Sequence, residues 1–120
     1  MLNLDTHILV SILTGDLFPR EDDLILKNEL AISDVVLWEL AKLIQLGRLE
    51  MDLESVEFRR CLREVLILPI TLDIARASTR LDFSSDPAGE IIAATSIVEK
   101  IPLLTRDRRI LKSRMVPLAG

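Results

Sequence analysis

A mainly parallel, three-layer α/β sandwich is the fold this sequence predicts, on three observations. Short apolar runs alternate with amphipathic helical segments along all 120 residues, the pattern of strands joined through crossover helices. Apolar residues make up 49% of the chain and aromatic ones only 3%, so Leu, Ile, Val and Ala must fill the interior, as they do where helices cover a buried parallel sheet. The first apolar run ends on a carboxylate, Asp5, just where helical spacing begins. Functional groups of open α/β sheets collect beyond the carboxyl ends of the strands. The length supports one domain over residues 1–120.

Taken in order, Met1, Leu2 and Leu4 begin a buried strand, and Ile8, Leu9, Ile12 and Leu13 follow at helical spacing. Asp5 suits a helix N-cap as well as chemistry. Thr14-Gly15-Asp16 marks a turn. Pro19 then opens a second helix, with Glu21, Asp22 and Asp23 near its positive end. Leu30-Ala31-Ile32 reads as a short strand, and Ser33-Asp34 caps a third helix. Its apolar stripe is Val36, Leu37, Leu40, Ala41 and Ile44, and its stop is Gly47.

Residues 53–65 form the next helix, and 66–70 a strand that Pro69 keeps short or at an edge. Thr71 caps a helix to about Leu81, and 82–86 is a mostly polar loop. Asp86-Pro87 is a strong helix start, with Asp at the N-cap and Pro at the first helical position, and that helix runs to Lys100. Residues 101–105 supply a late strand. Asp107 lies in the turn before Ile110-Leu111, and 115–118 make a final short strand.

A net charge of −4 argues against a broad polyanion-binding surface, although Arg59-Arg60-Arg63 and the run from Arg106 to Arg114 leave room for local basic patches. No apolar run approaches the length of a membrane span, and the first residues lack a signal peptide's basic region. The single Cys61 allows no internal disulfide, so a reducing cytoplasm is expected, with Cys61 packing as a small hydrophobe. No glycine-rich turn follows the first strand, which argues against a dinucleotide enzyme. A receiver-like signalling domain would need adjacent acids near the start and a late Lys, where this chain has Asp5 alone and Arg106-Asp107.

Three acids fall at repeated topological positions: Asp5 after the first strand, Glu39 in the helix after the second, and Asp107 after a late one. Asp86, at a helix start, is a fourth. Glu39 borders an apolar stripe, where a carboxylate needs a partner or a metal; Lys42 at i+3 is the bland alternative. Carboxylates gathered at one sheet edge repel each other and raise each other's pKa unless a cation neutralises them. With hard oxygen ligands and one histidine, that cation is Mg²⁺ or Mn²⁺, and the chemistry implied is phosphodiester hydrolysis. His7, the only histidine, is a general base in principle, though it more simply faces elsewhere or packs; Trp38 reads as core or as dimer interface.

The segments LDTHIL, ISDVVLWELAKLIQLGRL, DPAGEIIAATSIV and PLLTRD, in this order over nearly the whole chain, resemble the PIN domain, and within it the ribonuclease toxins of VapBC-type toxin–antitoxin pairs. The resemblance implies a small α/β/α sandwich whose clustered acids cut RNA with Mg²⁺ or Mn²⁺, often as a homodimer held in check by an antitoxin. By position it assigns metal and catalytic roles to Asp5, Glu39 and Asp107, an assisting role to Asp86, and support to Thr6 and Thr105. Arg106, Arg108 and Arg109 would then position the RNA backbone, as phosphate contacts do. The apolar face over 36–44 would be either core, dimer interface or a groove for an antitoxin helix.

One departure stands out. The family's third motif carries its principal acid three residues after the first Asp, and that position is Gly89 here, followed by Glu90 in place of the frequent Arg. A glycine supplies no ligand and costs the helix roughly 1 kcal/mol relative to Ala. The resemblance thus implies a ribonuclease impaired at Gly89. The alternative is a catalytically inactive PIN-fold module that binds RNA or a protein partner, and metal-dependent turnover separates the two.

Overall fold

The computed structural model describes residues 1–120. Its frame is a four-stranded, wholly parallel sheet in the order β3-β2-β1-β4, where β1 is Leu2–Leu4, β2 Leu30–Ser33, β3 Val65–Leu68 and β4 Leu103–Leu104. The helices α1 (Thr6–Thr14), α2 (Pro19–Lys27), α3 (Val35–Gln45), α4 (Val56–Arg63), α5 (Leu72–Ser78), α6 (Pro87–Glu99) and α7 (Arg108–Leu111) flank it as the expected α/β/α sandwich. Parallel strands need both faces covered. The aliphatic core meets that need with Leu4, Ile8, Leu9, Ile32, Val36, Leu40, Ile92 and Ile110 fully buried.

Buried polar atoms also join the layers. Asn3, wholly enclosed in β1, donates through Nδ2 to the Ile92 carbonyl (3.2 Å) and to Ser96 Oγ (2.9 Å), pinning α6 to the sheet. No helix is long and apolar enough to cross a membrane.

Several boundaries differ from the sequence reading for local reasons. The fourth helix starts at Val56 because Ser55 is its cap, accepting from Phe58 N–H at 3.2 Å, and Leu53 precedes it in a turn. Strand β3 is the edge strand that Pro69 foretold, but begins one residue earlier. Helix α5 stops at Ser78, where the Ser78 and Thr79 hydroxyls donate to the Ala75 and Arg76 carbonyls and satisfy the last turn. Strand β4 is two residues, flanked by Pro102. The strand expected over 115–118 is a single parallel bridge, Leu103 to Leu118, since Pro117 has no N–H to extend the ladder.

The apolar face over 36–44 is partly interior: Val36 and Leu40 are fully enclosed, Leu37 and Ile44 are half-buried, and Ala41 is exposed. Trp38 is 55% exposed and is no core residue. Cys61 is half-buried, and burial with the nearby Glu64 charge raises its thiol pKa, consistent with packing rather than nucleophilic use.

Candidate active site

Strand register builds the first half of the site. β1 and β4 pair with Leu4 opposite Leu104, so the next residues, Asp5 and Thr105, emerge side by side at the carboxyl edge. Asp5 is buried and caps α1: Oδ1 accepts from Thr6 N–H at 2.8 Å, and Oδ2 accepts from the Thr105 hydroxyl at 2.5 Å. Thr105 Oγ1 in turn accepts from Asp107 N–H at 3.1 Å. Asp107 caps α7, taking Arg109 N–H on Oδ1 at 2.9 Å, with the Arg109 guanidinium 3.5 Å from Oδ2.

The other half comes from α3 and α6. Glu39 is half-buried and not paired with Lys42, which donates to Gln45 Oε1 instead at 3.1 Å. The buried Thr6 hydroxyl lies toward the Glu39 carboxyl and lowers its pKa somewhat, although the two do not reach full hydrogen-bond geometry. Asp86 caps α6, with Oδ1 accepting from Gly89 N–H at 2.7 Å.

Electrostatics link these acids in sequence. Burial raises the pKa of Asp5; its bonds from Thr105 and Thr6 oppose that, as does His7, while the Asp107 charge adds to it. Burial likewise raises that of Glu39, reinforced by the charges of Asp86 and Asp5. Asp107, Asp5, Glu39 and Asp86 therefore form one electrostatically coupled row. Asp5 and Glu39, desolvated and repelled by the neighbouring charges, are groups that a cation would stabilise. The all-oxygen donor set and the unpartnered Thr6 hydroxyl suit a hard divalent ion. As they stand, no three His, Cys, Asp or Glu side chains are close enough together to enclose one.

At the family's third acid position, Gly89 is buried. A Cβ there would meet Ser85 Oγ at 2.8 Å and Asp86 Oδ1 at 3.2 Å. Ser85 Oγ is itself enclosed without a partner. Glu90 does not stand in for the absent acid: its carboxylate turns back to accept from Ser85 N–H at 3.3 Å.

Of the three arginines expected to face RNA, Arg106 is committed elsewhere. Its Nε and Nη2 grip the buried Glu21 carboxylate at 2.8 and 2.5 Å, and Nη2 also donates to the Asp16 carbonyl at 2.9 Å. The guanidinium lies 4.1 Å from the centre of the Phe18 ring. No spacing in the sequence signals a pair separated by 85 positions. Arg108 and Arg109 stay exposed, and only Arg109 joins His7 along a polar trough beside Asp107. Nothing in the sequence marks Ser11 or Ser85, and Glu21 is marked only by its place in the first turn of α2.

The family model described as PIN domain matches residues 3–114. No curated protein matches the chain. Among solved structures, a toxin–antitoxin complex from Klebsiella pneumoniae is similar at 20% identity and TM-score 0.75, covering 100% of this chain and 97% of that one. FitAcB from Neisseria gonorrhoeae is similar at 17% identity and TM-score 0.71, covering 100% and 97%. VapBC2 from Rickettsia felis, bound to a DNA fragment from its promoter, follows at 18% and 0.69, covering 99% and 98%.

Proposed function

The chain belongs to the PIN domain family, whose toxins are generally nucleases, and on that premise we propose that it is the metal-dependent ribonuclease toxin of a toxin–antitoxin pair. The observation that carries this reading is the coupled row Asp107, Asp5, Glu39 and Asp86 at the carboxyl edge of the sheet, with Asp5 and Glu39 both raised in pKa by burial. Asp5, Glu39 and Asp107 are the ligands for Mg²⁺ or Mn²⁺. Bound there, the ion supplies an activated water and neutralises charge developing on a phosphate oxygen.

The chain's own residues fix the geometry. The Thr105 hydroxyl donates to Asp5 Oδ2 and accepts from the backbone N–H of Asp107, so one side chain ties the Asp5 carboxylate to the backbone that carries Asp107. Thr6 presents an unpartnered hydroxyl toward Glu39. Asp86, with one oxygen committed to its cap, receives a proton or orients water through the other. With Gly89 in place of an acid, turnover is reduced.

The toxin–antitoxin complexes of similar fold support an antitoxin protein as partner, with homodimerisation and a cytoplasmic setting part of the same reading. A second reading, an inactive PIN-fold module that binds RNA or a partner, is favoured by two observations alone: Gly89 supplies no ligand, and Glu90 is turned away to Ser85.

The deciding experiment is cleavage of a mixed RNA pool with Mg²⁺ or Mn²⁺ by the wild type, Asp5→Asn and Gly89→Asp. The proposal expects slow wild-type cleavage that EDTA and Asp5→Asn both abolish. Cleavage surviving Asp5→Asn refutes the site. Cleavage by Gly89→Asp alone makes position 89 the missing ligand and the wild type a disabled nuclease, and silence from all three yields the nuclease reading to the inactive-module one.

A further inference from the structure

Beside the carboxylate row, a trough of about 480 Å³ runs along α1, with His7, Ser11 and Thr14 on one wall and Asp107 and Arg109 on the other. Its lining is almost entirely polar, Val10 being the one apolar member. Asp16 and Arg106 also line it, and the Arg106 guanidinium is already held by Glu21 and the Asp16 carbonyl. The cation in this trough with freedom to move is Arg109, whose side chain is 60% exposed and whose contact with Asp107 is a loose 3.5 Å.

Arg109 meets Asp107 twice, and the two contacts differ. Its backbone N–H caps α7 on Oδ1 at 2.9 Å, whereas its guanidinium only balances the charge on Oδ2. The guanidinium can therefore leave without uncapping the helix. A cation on Asp107 neutralises the charge that retains it, and an anion in the trough then offers it a better partner, since guanidinium–phosphate contacts are strong and directional.

Resting on the nuclease reading above, we propose that this trough seats the RNA strand on one side of the scissile bond. Arg109 is handed from Asp107 to a backbone phosphate as ion and RNA bind. His7, Ser11 and Thr14 then face the sugar and base of the same nucleotide. Because one guanidinium serves both sites, ion and RNA binding are positively coupled, each strengthening the other by the same factor.

The test uses a fluorescent single-stranded RNA of about ten nucleotides, measured by anisotropy in EDTA and in Ca²⁺ over a salt series, with Mn²⁺ binding measured separately by calorimetry without RNA. The wild type is expected to bind RNA more tightly in Ca²⁺ than in EDTA. Arg109→Ala is expected to bind RNA about three- to tenfold more weakly, the worth of one charge-assisted contact. Its salt slope falls by about 0.7, one phosphate contact on a single strand. The same variant binds Mn²⁺ alone about two- to fivefold more tightly, the worth of an exposed ion pair removed. Arg109→Lys restores the slope, and Arg48→Ala, an equal charge change at an exposed position after α3, alters neither measurement.

Unchanged RNA affinity in Arg109→Ala overturns the proposal, as does unchanged Mn²⁺ affinity. If Asp5-dependent cleavage holds while Arg109→Ala binds RNA like the wild type, the handover fails and the nuclease stands. If the wild type neither binds nor cuts RNA, both fall.

Discussion

Replacing Arg106 with Ala removes the counterion of Glu21, a carboxylate whose side chain is only 3% exposed. Breaking a fully buried ion pair from one side costs about 3–5 kcal/mol, because the remaining charge is stranded. Arg106 is 33% exposed, so water enters the space it vacates, and Glu21 keeps its bond from Phe18 N–H at 2.9 Å. Those two facts bring the expected cost down to about 2–3 kcal/mol at pH 7. For a chain of this size that corresponds to roughly 8–12 °C in Tm.

The pH dependence makes the test specific. Hydrogen bonding to Arg106 holds the Glu21 carboxyl below its ordinary value of 4.5. Its stabilising contribution is therefore fully present above that value and is lost as pH falls through the lower folded value. Urea unfolding followed by circular dichroism should show the gap between wild type and Arg106→Ala narrowing as pH drops through this range, since a protonated Glu21 needs no counterion. A double-mutant cycle with Glu21→Gln should return a coupling of about 1–3 kcal/mol. A cost below about 0.5 kcal/mol at pH 7, or one that does not change with pH, refutes the clamp.

Three further outcomes are expected. Glu39→Gln should stabilise the metal-free protein at pH 7 by a few tenths to about 1 kcal/mol. The folded carboxyl lies above its ordinary 4.5, so the wild type loses stability as pH rises through that interval; equal urea midpoints at pH 7 would contradict this. Gly89→Asp forces Ser85 Oγ to rotate and adds charge beside Asp86, so it should unfold somewhat earlier in EDTA yet gain more Tm from saturating Mn²⁺ than the wild type does. An equal gain would show that position 89 is no ligand site. Asn3→Ala removes both bonds to α6 and leaves a void, costing about 2–3 kcal/mol by chemical denaturation; a cost under about 1 kcal/mol would mean that Asn3 does not hold α6 in place.

What the sequence discloses here follows the range of each interaction. Caps are local, so Asp86-Pro87, Thr71 and Pro19 announce their helices correctly, and Asp5 is the cap that its position suggests. The acids are legible because α/β topology brings the ends of parallel strands together whatever the intervening residues are. Contacts between distant segments leave no such trace. Arg106 looks like its exposed neighbours until Glu21 is placed against it. The loop serine behind Gly89 carries no periodic signal, and Trp38 is solvent-facing although lone aromatics usually pack. The shortness of β4 is half-legible, since Pro102 and Pro117 both bound its ladder.

The bond from Thr105 to Asp5 spans 100 positions, and this gives the carboxylate row a date of birth. A ribosome adds roughly 5–20 residues per second, so about 5–20 seconds separate the synthesis of the first acid from that of the hydroxyl that holds it. Until β4 emerges and pairs with β1, Asp5 has neither Thr105 nor Asp107 beside it. A protein proposed to cut RNA thus has no assembled carboxylate row until the end of β4 has left the ribosome.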